Sequence, residues 1–198
     1  MKSFRVSELT FNNREVIDFH KNKILLISIY FIGIILIAPF YLLFFCVYNI
    51  LFDNIINDSL YFIRACIDSS GFQKILFVAL LMLVTIIHEF VHGIFFYLFT
   101  GEKPLIGFKS IYLFAGSPNW YIKKKYYIVI ALSPIILITI FGIATLSIIP
   151  TSISYLVVIS ITINAAGSVG DIWISIKLLN KPPESYIIDN GIALSINY

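Results

Sequence analysis

Four long apolar stretches alternate with shorter polar segments along the chain. A transmembrane helix needs about 20 consecutive, predominantly apolar residues, and each of the four stretches is long enough. The pattern therefore predicts four membrane-spanning helices, at about residues 24–52, 75–99, 126–149 and 153–179. The first stretch is long for one span and contains Pro39, which predicts a kink in that helix.

Composition supports a membrane protein. Of the 198 residues, 59% are hydrophobic and 13% are charged, whereas a soluble domain carries about 25% charged residues. The length leaves no room for a separate soluble domain, so we expect a single membrane-embedded domain. The predicted fold class is an all-α integral membrane protein with a short β-hairpin-like loop between spans two and three.

That loop and the C-terminal tail contain strand-like pieces. Residues 108–114 and 119–122 flank a predicted turn at Ser117-Pro118-Asn119. A hairpin there would offer an edge to an extended peptide, but a membrane-hugging amphipathic loop fits the sequence equally well. A second hairpin is predicted around Asp189-Asn190-Gly191.

The distribution of basic residues predicts the orientation in the membrane. Lysine and arginine are concentrated in the head, the second loop and the end of the chain, and only Arg64 and Lys74 lie in the first loop. Because cytoplasmic segments are enriched in basic residues, we expect both termini in the cytoplasm. The lysines at 123–125 are interpreted as a topology anchor, and no nucleic-acid partner is expected. Richness in Ile, Phe, Asn and Lys is typical of an AT-rich bacterial genome, which indicates a bacterial cell membrane.

The sequence HEFVH places three ionisable residues inside the second span. His88 and His92 are four residues apart, so on a helix they share one face. Two such imidazoles can bind one zinc ion, and Glu89 beside them is placed to act as the general base of a metallopeptidase. The alternative is a pair of core histidines hydrogen-bonded to neighbours. Each ionisable group costs about 2.5–3.5 kcal/mol at mid-membrane, whereas a structural zinc site returns about 10 kcal/mol or more.

A catalytic zinc site normally has three protein ligands, and the predicted third ligand is Asp171. Only one other histidine, His20, is present. In the fourth span a polar stripe shares one helical face, and Asp171 is its only charged member: Asn164, Ser168, Asp171 and Ser175. Counting from the predicted inner ends of their spans, His92 and Asp171 lie at similar depths, ~11 and ~12 Å. A carboxylate held only by neighbouring hydroxyls or a lysine remains the alternative.

Asn164 lies two turns before Asp171 on the same stripe. An asparagine there is suited to hydrogen-bond the substrate or the oxyanion of the tetrahedral intermediate. It is equally suited to hydrogen-bond a neighbouring helix. The sequence leaves both roles open.

From about residue 74 to residue 180 the chain resembles intramembrane zinc metallopeptidases of the site-two protease type. It looks closest to a short family described as putative zincin peptidases. The resemblance rests on HEFVHG in one span and NAAGSVGD two spans later. It implies His88, His92 and Asp171 as zinc ligands and Glu89 as the catalytic base. Asn164 stands where the family places an asparagine ahead of the third ligand.

The expected function is a membrane-embedded zinc metalloendopeptidase. Its cofactor would be Zn²⁺, its environment the lipid bilayer, and its substrate a membrane-adjacent peptide or transmembrane protein cut by zinc-activated water. The alternatives are a zinc transporter and a non-catalytic zinc-binding membrane protein. Replacement of Glu89 discriminates between these functions. Hydrolysis needs Glu89 as the base, whereas zinc binding does not, because Glu89 is not one of the proposed ligands.

Overall fold

The computed structural model describes residues 3–6, 11, 13–19, 21–52, 58–109 and 112–198, so His20 lies outside the described residues. Six α-helices lie within these ranges: α1 (Lys23–Phe52), α2 (Tyr61–Asp68), α3 (Gly71–Thr100), α4 (Lys124–Leu146), α5 (Ser154–Gly167) and α6 (Val169–Leu179). Helices α1, α3 and α4 are each long and apolar enough to cross a membrane. Helices α5 and α6 together form a fourth candidate span, bent by 40°.

The exposed surface of the long helices is apolar. Ile24 on α1 is 80% exposed and Phe72 on α3 is 75% exposed, and many other large apolar side chains on the two helices are also exposed. Soluble monomers rarely expose apolar patches of this extent. The helices are therefore compatible with a protein whose outer surface faces lipid.

A six-stranded antiparallel sheet accompanies the helices, so the all-α prediction is wrong. Its strands are β1 (Ser3–Arg5), β2 (Arg14–Asp18), β3 (Leu105–Lys109), β4 (Tyr112–Lys123), β5 (Tyr186–Asp189) and β6 (Ala193–Asn197). The order is β1-β4-β5-β6-β2, and β3 pairs with β4. Strands β1 and β2 are short and pair with strands that are distant in sequence, so the assembly of these strands into one sheet was not predicted.

The sheet joins three polar segments of the chain, namely the head, the loop between α3 and α4, and the tail. These three segments precede the first predicted span, lie between the second and third, and follow the fourth. They therefore occupy the same side of the four helical elements. A chain that crosses a membrane four times would likewise have its head, its second loop and its tail on one side of the membrane.

The two predicted hairpins have different outcomes. A hairpin does form in the loop between α3 and α4, with β3 paired to β4, but residues 117–119 are not its turn; they lie within β4, beside a register irregularity between Ser117 and Ile122. The tail hairpin is confirmed, with β5 pairing to β6 and Gly191 at φ 79° in the connection. Glycine adopts this left-handed conformation at little cost.

Helix α3 is bounded by strong end signals. Ser70 and Gln73 form a capping box in which each side chain bonds the other residue's backbone N–H. At the other end Gly101 adopts φ 74° and donates its N–H to the carbonyl of Tyr97. These signals set the length of the helix that carries His88, Glu89 and His92.

The predicted fourth span is not one continuous helix, because it breaks at Ser168. Both the backbone N–H and the hydroxyl of Ser168 donate to the carbonyl of Asn164, at 3.0 and 2.9 Å. The chain restarts as α6 at Val169 and places Asp171 in its first turn. A helix dipole favours a negatively charged side chain at that position.

Two buried clusters hold the elements together. One lies between the sheet and helices α3, α4 and α6, and includes Phe96, Ile122 and Leu178. The other joins α1, α2, α4 and α5, and includes Tyr48, Phe62 and Val158. Helix α6 packs in the first cluster and helix α5 in the second. The break at Ser168 therefore lies between two helices that are each held by buried contacts.

Candidate metal centre

His88 and His92 lie one turn apart on the same face of α3. Their ring centroids are 4.9 Å apart in an edge-to-face arrangement. The side chains are 15% and 11% exposed, respectively. Both histidines therefore face the interior of the protein.

Asp171 faces both imidazoles from the first turn of α6. Its Oδ2 lies 3.2 Å from Nε2 of His88, and its Oδ1 lies 3.5 Å from Nε2 of His92. One ligand atom from each of the three residues falls within 4.8 Å of the others. The structure therefore brings together the three residues that the sequence suggested as ligands.

The other nitrogen of each imidazole faces an oxygen acceptor. Nδ1 of His88 lies 3.0 Å from the side-chain oxygen of Asn164, and Nδ1 of His92 lies 3.0 Å from the backbone carbonyl of Ile130. Since these oxygens only accept, Nδ1 carries the proton in each ring. In the neutral form of each histidine, Nε2 then presents a lone pair to Asp171.

This arrangement fits a zinc ion. Two lone pairs and a carboxylate directed at one point repel each other unless positive charge lies between them. Zinc–ligand distances of about 2.0–2.2 Å in a tetrahedral site correspond to ligand separations of about 3.3–3.6 Å. Each ring has an oxygen of Asp171 near that separation, Oδ2 at 3.2 Å from His88 and Oδ1 at 3.5 Å from His92. Histidine ligands of zinc commonly donate their second N–H to a carbonyl or carboxylate. The His–His–Asp cluster could thus bind a metal.

Glu89 is positioned by the sheet. Its Oε2 accepts a hydrogen bond from the backbone N–H of Ala115 on β4, at 2.9 Å. Among the described residues, no hydrogen bond engages Oε1. The carboxylate lies within electrostatic range of His88, His92 and Asp171. Glu89 thus lies near the cluster and keeps one oxygen available.

Asn164 connects α5 to α3 through the hydrogen bond of its oxygen with His88. Asn164 is 6% exposed, and its Nδ2 has no hydrogen-bond partner in the described part of the chain. The interhelical role that the sequence suggested is therefore present in the geometry. The Nδ2 group remains available for a contact with substrate.

The hydroxyls of the other two members of the polar stripe make no hydrogen bond to the cluster. The hydroxyl of Ser168 bonds the carbonyl of Asn164 within its own helix turn. The hydroxyl of Ser175 is buried and has no hydrogen-bond partner among the described residues.

Sequence reasoning missed the contacts that support the cluster. Besides Ala115 and Ile130, these include Tyr127 on α4, whose hydroxyl donates to Asp189 of β5, and Gly191, whose N–H also donates to that carboxylate. Burial raises the pKa of the Asp189 carboxyl, and the two hydrogen bonds partly offset this effect. This link fixes the tail against the helix that supports His92. No local pattern indicates it.

Two surface cavities, of about 290 and 230 Å³, flank Glu102 just beyond the C-terminal end of α3. Hydrogen bonds from the side chains of Trp120 and Asn119 lower the pKa of the Glu102 carboxyl. Neither cavity is lined by a residue of the metal cluster. These two cavities therefore lie apart from the proposed chemistry.

Comparison with known protein families identifies a family that the chain matches. A family model described as "Putative zincin peptidase" matches residues 81–186, which is more than half of the chain. The matched region includes both histidines, Glu89, Asn164 and Asp171. No curated protein and no solved structure matches the chain.

Proposed function

Because the chain belongs to the family of putative zincin peptidases, we propose that it is a membrane-embedded zinc metallopeptidase of the site-two protease type. The family supports zinc and peptide hydrolysis. One observation carries the membrane-embedded part of the proposal. The cluster of His88, His92 and Asp171 lies on α3 and α6, both of which belong to candidate membrane spans.

The ligands in this proposal are Nε2 of His88, Nε2 of His92 and the carboxylate of Asp171. A bound zinc ion would act as a Lewis acid on the substrate carbonyl and would lower the pKa of water towards neutrality. The hydrogen bonds from Nδ1 to Asn164 and to the carbonyl of Ile130 fix the orientation of both rings. The two imidazole rings therefore need not rotate when the ion binds.

Glu89 is the general base of the proposed reaction. The N–H of Ala115 holds its Oε2, so Oε1 accepts the proton of the attacking water. The same carboxyl group then delivers that proton to the leaving amine. Proton transfer by a positioned side chain typically contributes about 10²–10⁴-fold to a rate.

The substrate is proposed to bind as an extended segment along β3. This strand pairs with β4 along one edge, and no described strand pairs with its other edge. Pro104 and Ile106 lie against Gly93, the residue that follows His92. A peptide that adds to this free edge by backbone hydrogen bonds would form a third strand beside β3, whose Ile106 contacts α3 next to His92.

Both termini are proposed to lie in the cytoplasm of a bacterial cell. The sheet gathers the head, the second loop and the tail on one side of the helices, and these segments hold nearly all the basic residues. Reporter fusions test this orientation. A fusion at the C-terminus should report a cytoplasmic location, and one after Asp68 in the first loop should report the opposite side.

The central experiment compares zinc content with cleavage. Purified protein in proteoliposomes is incubated with a library of single-span peptides, and new peptide termini are identified by mass spectrometry. Glu89→Gln should keep wild-type zinc content and lose cleavage by about 10²-fold or more. His88→Ala and Asp171→Ala should lose zinc. Glu102→Gln, beyond the end of the same helix, is the matched control and should change neither property.

The alternatives predict different results for the same proteins. A zinc transporter would pass zinc into vesicles that contain a fluorescent chelator, and Glu89→Gln would leave that flux intact. A non-catalytic zinc-binding protein would retain zinc without producing new peptide termini. Zinc retained by both His88→Ala and Asp171→Ala would contradict the ligand assignment under every one of these functions.

A further inference from the structure

Helix α4 contains a proline in its interior at a position that bears on the metal cluster. In a regular α-helix the carbonyl of Ile130 would accept the N–H of residue 134. Residue 134 is Pro134, which lies inside α4 and has no N–H. The carbonyl of Ile130 therefore loses its usual helical partner.

That same carbonyl holds His92. It accepts from Nδ1 of His92 at 3.0 Å and from the hydroxyl of Ser133 at 2.8 Å. A carbonyl oxygen has two lone pairs, so it can accept both bonds. Ile130 is 1% exposed and Ser133 is 4% exposed, so water has little access to this site. A buried carbonyl released from the helix needs partners of this kind.

We propose that Pro134 is a positioning residue for the metal centre: it releases the Ile130 carbonyl, which fixes His92 with Nε2 directed at the cluster. The ring of a helical proline also clashes with the carbonyl four residues earlier. This clash tilts the carbonyl away from the helix axis, and here it faces α3. The inference rests on the metal-binding part of the proposed function and assigns a role to a residue that is not itself one of the proposed ligands.

The test replaces the proline and measures the metal directly. Pro134→Ala introduces an N–H that competes with His92 for the Ile130 carbonyl. Loss of such an outer hydrogen bond typically weakens zinc affinity by about 10–100-fold. We expect a loss of that size in chelator competition, with a changed visible absorption spectrum of the Co²⁺-substituted protein. A spectral change reports ligand geometry, which a general loss of stability would not alter in the folded fraction.

Two controls separate this role from helix packing. Pro39→Ala makes the same substitution in α1, which carries no proposed ligand. Ser133→Ala removes the second hydrogen bond and leaves the carbonyl free for His92. Both should keep zinc affinity within about threefold of wild type, well short of the effect expected for a lost outer hydrogen bond. Unchanged affinity and an unchanged Co²⁺ spectrum in Pro134→Ala would overturn the proposal, as would an equal loss in Ser133→Ala.

A measurement on the wild-type chain decides the matter if Pro134→Ala does not fold. With ¹⁵N-labelled histidine and ¹³C-labelled isoleucine, the metal-free protein should show a protonated Nδ1 on His92 coupled to a carbonyl carbon. The coupling should disappear in Ile130→Val, where the valine is unlabelled. An unprotonated Nδ1 would refute the inference. A wild-type protein that binds no zinc would refute the metal site instead, so the two failures are distinguishable.

Discussion

The side-chain oxygen of Asn164 accepts a hydrogen bond from Nδ1 of His88 at 3.0 Å, across 76 positions of sequence. This bond connects α5 to α3 just before α5 ends at Gly167. Asp171 follows within the first turn of α6. The short segment between residues 164 and 171 thus orients one histidine and supplies the carboxylate that faces it.

Substitution at Asn164 should separate its two candidate roles. Asn164→Ala removes the acceptor for His88, and zinc affinity should fall by about 10–100-fold in chelator competition. Asn164→Asp keeps an acceptor and should retain zinc. Ser160→Ala is the matched control, because that hydroxyl, one turn earlier on α5, bonds only the carbonyl of Leu156. Equal zinc affinity in wild type and Asn164→Ala would contradict the orienting role.

The same pair of variants also tests the contact with substrate. Asn164→Asp replaces the unpartnered Nδ2 group with an oxygen. If Nδ2 donates to the substrate oxyanion, this variant should bind zinc normally and cleave about 10²-fold more slowly. Normal cleavage would leave the interhelical bond as the sole function of Asn164.

Ala115 is expected to influence catalysis without affecting the metal. The backbone N–H of Ala115 donates to Glu89. This N–H therefore points away from β3 and makes no hydrogen bond to that strand. Ala115→Pro removes this donor and should leave zinc content unchanged while kcat falls by about 10²-fold, since misplacement of a catalytic group by about 1 Å has an effect of that size. Leu113→Pro, two residues earlier on the same side of β4, is the control. Equal loss in both variants would indicate damage to the strand instead.

Gly33 is expected to tolerate no side chain. A Cβ built on Gly33 of α1 would lie 2.9 Å from the carbonyl oxygen of Ala166, near the end of α5. Alanine improves helix propensity by about 1 kcal/mol over glycine, but a backbone oxygen cannot rotate away, and overpacking costs about 1–3 kcal/mol. Gly33→Ala should therefore lower the thermal unfolding temperature in detergent, measured by circular dichroism.

A second glycine provides the control for that measurement. A Cβ at Gly71, in the first turn of α3, meets nothing within 4 Å. Gly71→Ala should leave the unfolding temperature unchanged or slightly raised. If Gly33→Ala behaves in the same way, the close approach between α1 and α5 does not limit stability.

Local patterns in the sequence were sufficient to predict the long apolar helical segments, though not α2 or the break at Ser168, and to single out the three clustered residues. Apolar length indicated the spans, the spacing of His88 and His92 put them on one face, and the polar stripe together with matching depth singled out Asp171. Each of these signals lies within one helix. The structure places the three side chains in one cluster, although their role as ligands stays a prediction.

The unpredicted features all depend on contacts between distant segments. Strand β1 has three residues and pairs with β4 more than a hundred positions later, and no periodicity in so short a segment identifies its partner. The support of Glu89 by Ala115 follows from that sheet. Pro134 did carry a readable signal, since a proline inside a helix leaves the carbonyl four residues earlier without a partner. The hydrogen bond from His92 to that carbonyl could not be inferred from the sequence, because it depends on the packing of α3 on α4.

The N-terminal strand β2 is attached to the end of α6 by a pH-dependent contact. Glu15 pairs with Lys177 and Lys181 at 2.6 and 2.5 Å. The hydrogen bonds from Lys177 and Lys181 hold the pKa of Glu15 below its ordinary value of 4.5. Because the folded state has the lower pKa, the stabilisation is fully present above pH 4.5 and is lost as the pH falls through the lowered value.

Replacing Glu15 should therefore destabilise the protein at neutral pH and have less effect in acid. Glu15 is 31% exposed, so the loss in Glu15→Gln should be about 0.5–1 kcal/mol, read as a lower unfolding temperature at pH 7. The difference from wild type should narrow as the pH is lowered below 4.5. Glu184→Gln is the control, because Glu184 pairs with Lys123 but is 74% exposed, and its loss should be near zero. A pH-independent difference for Glu15→Gln would mean that packing of β2, and not the charge of Glu15, stabilises this end of α6.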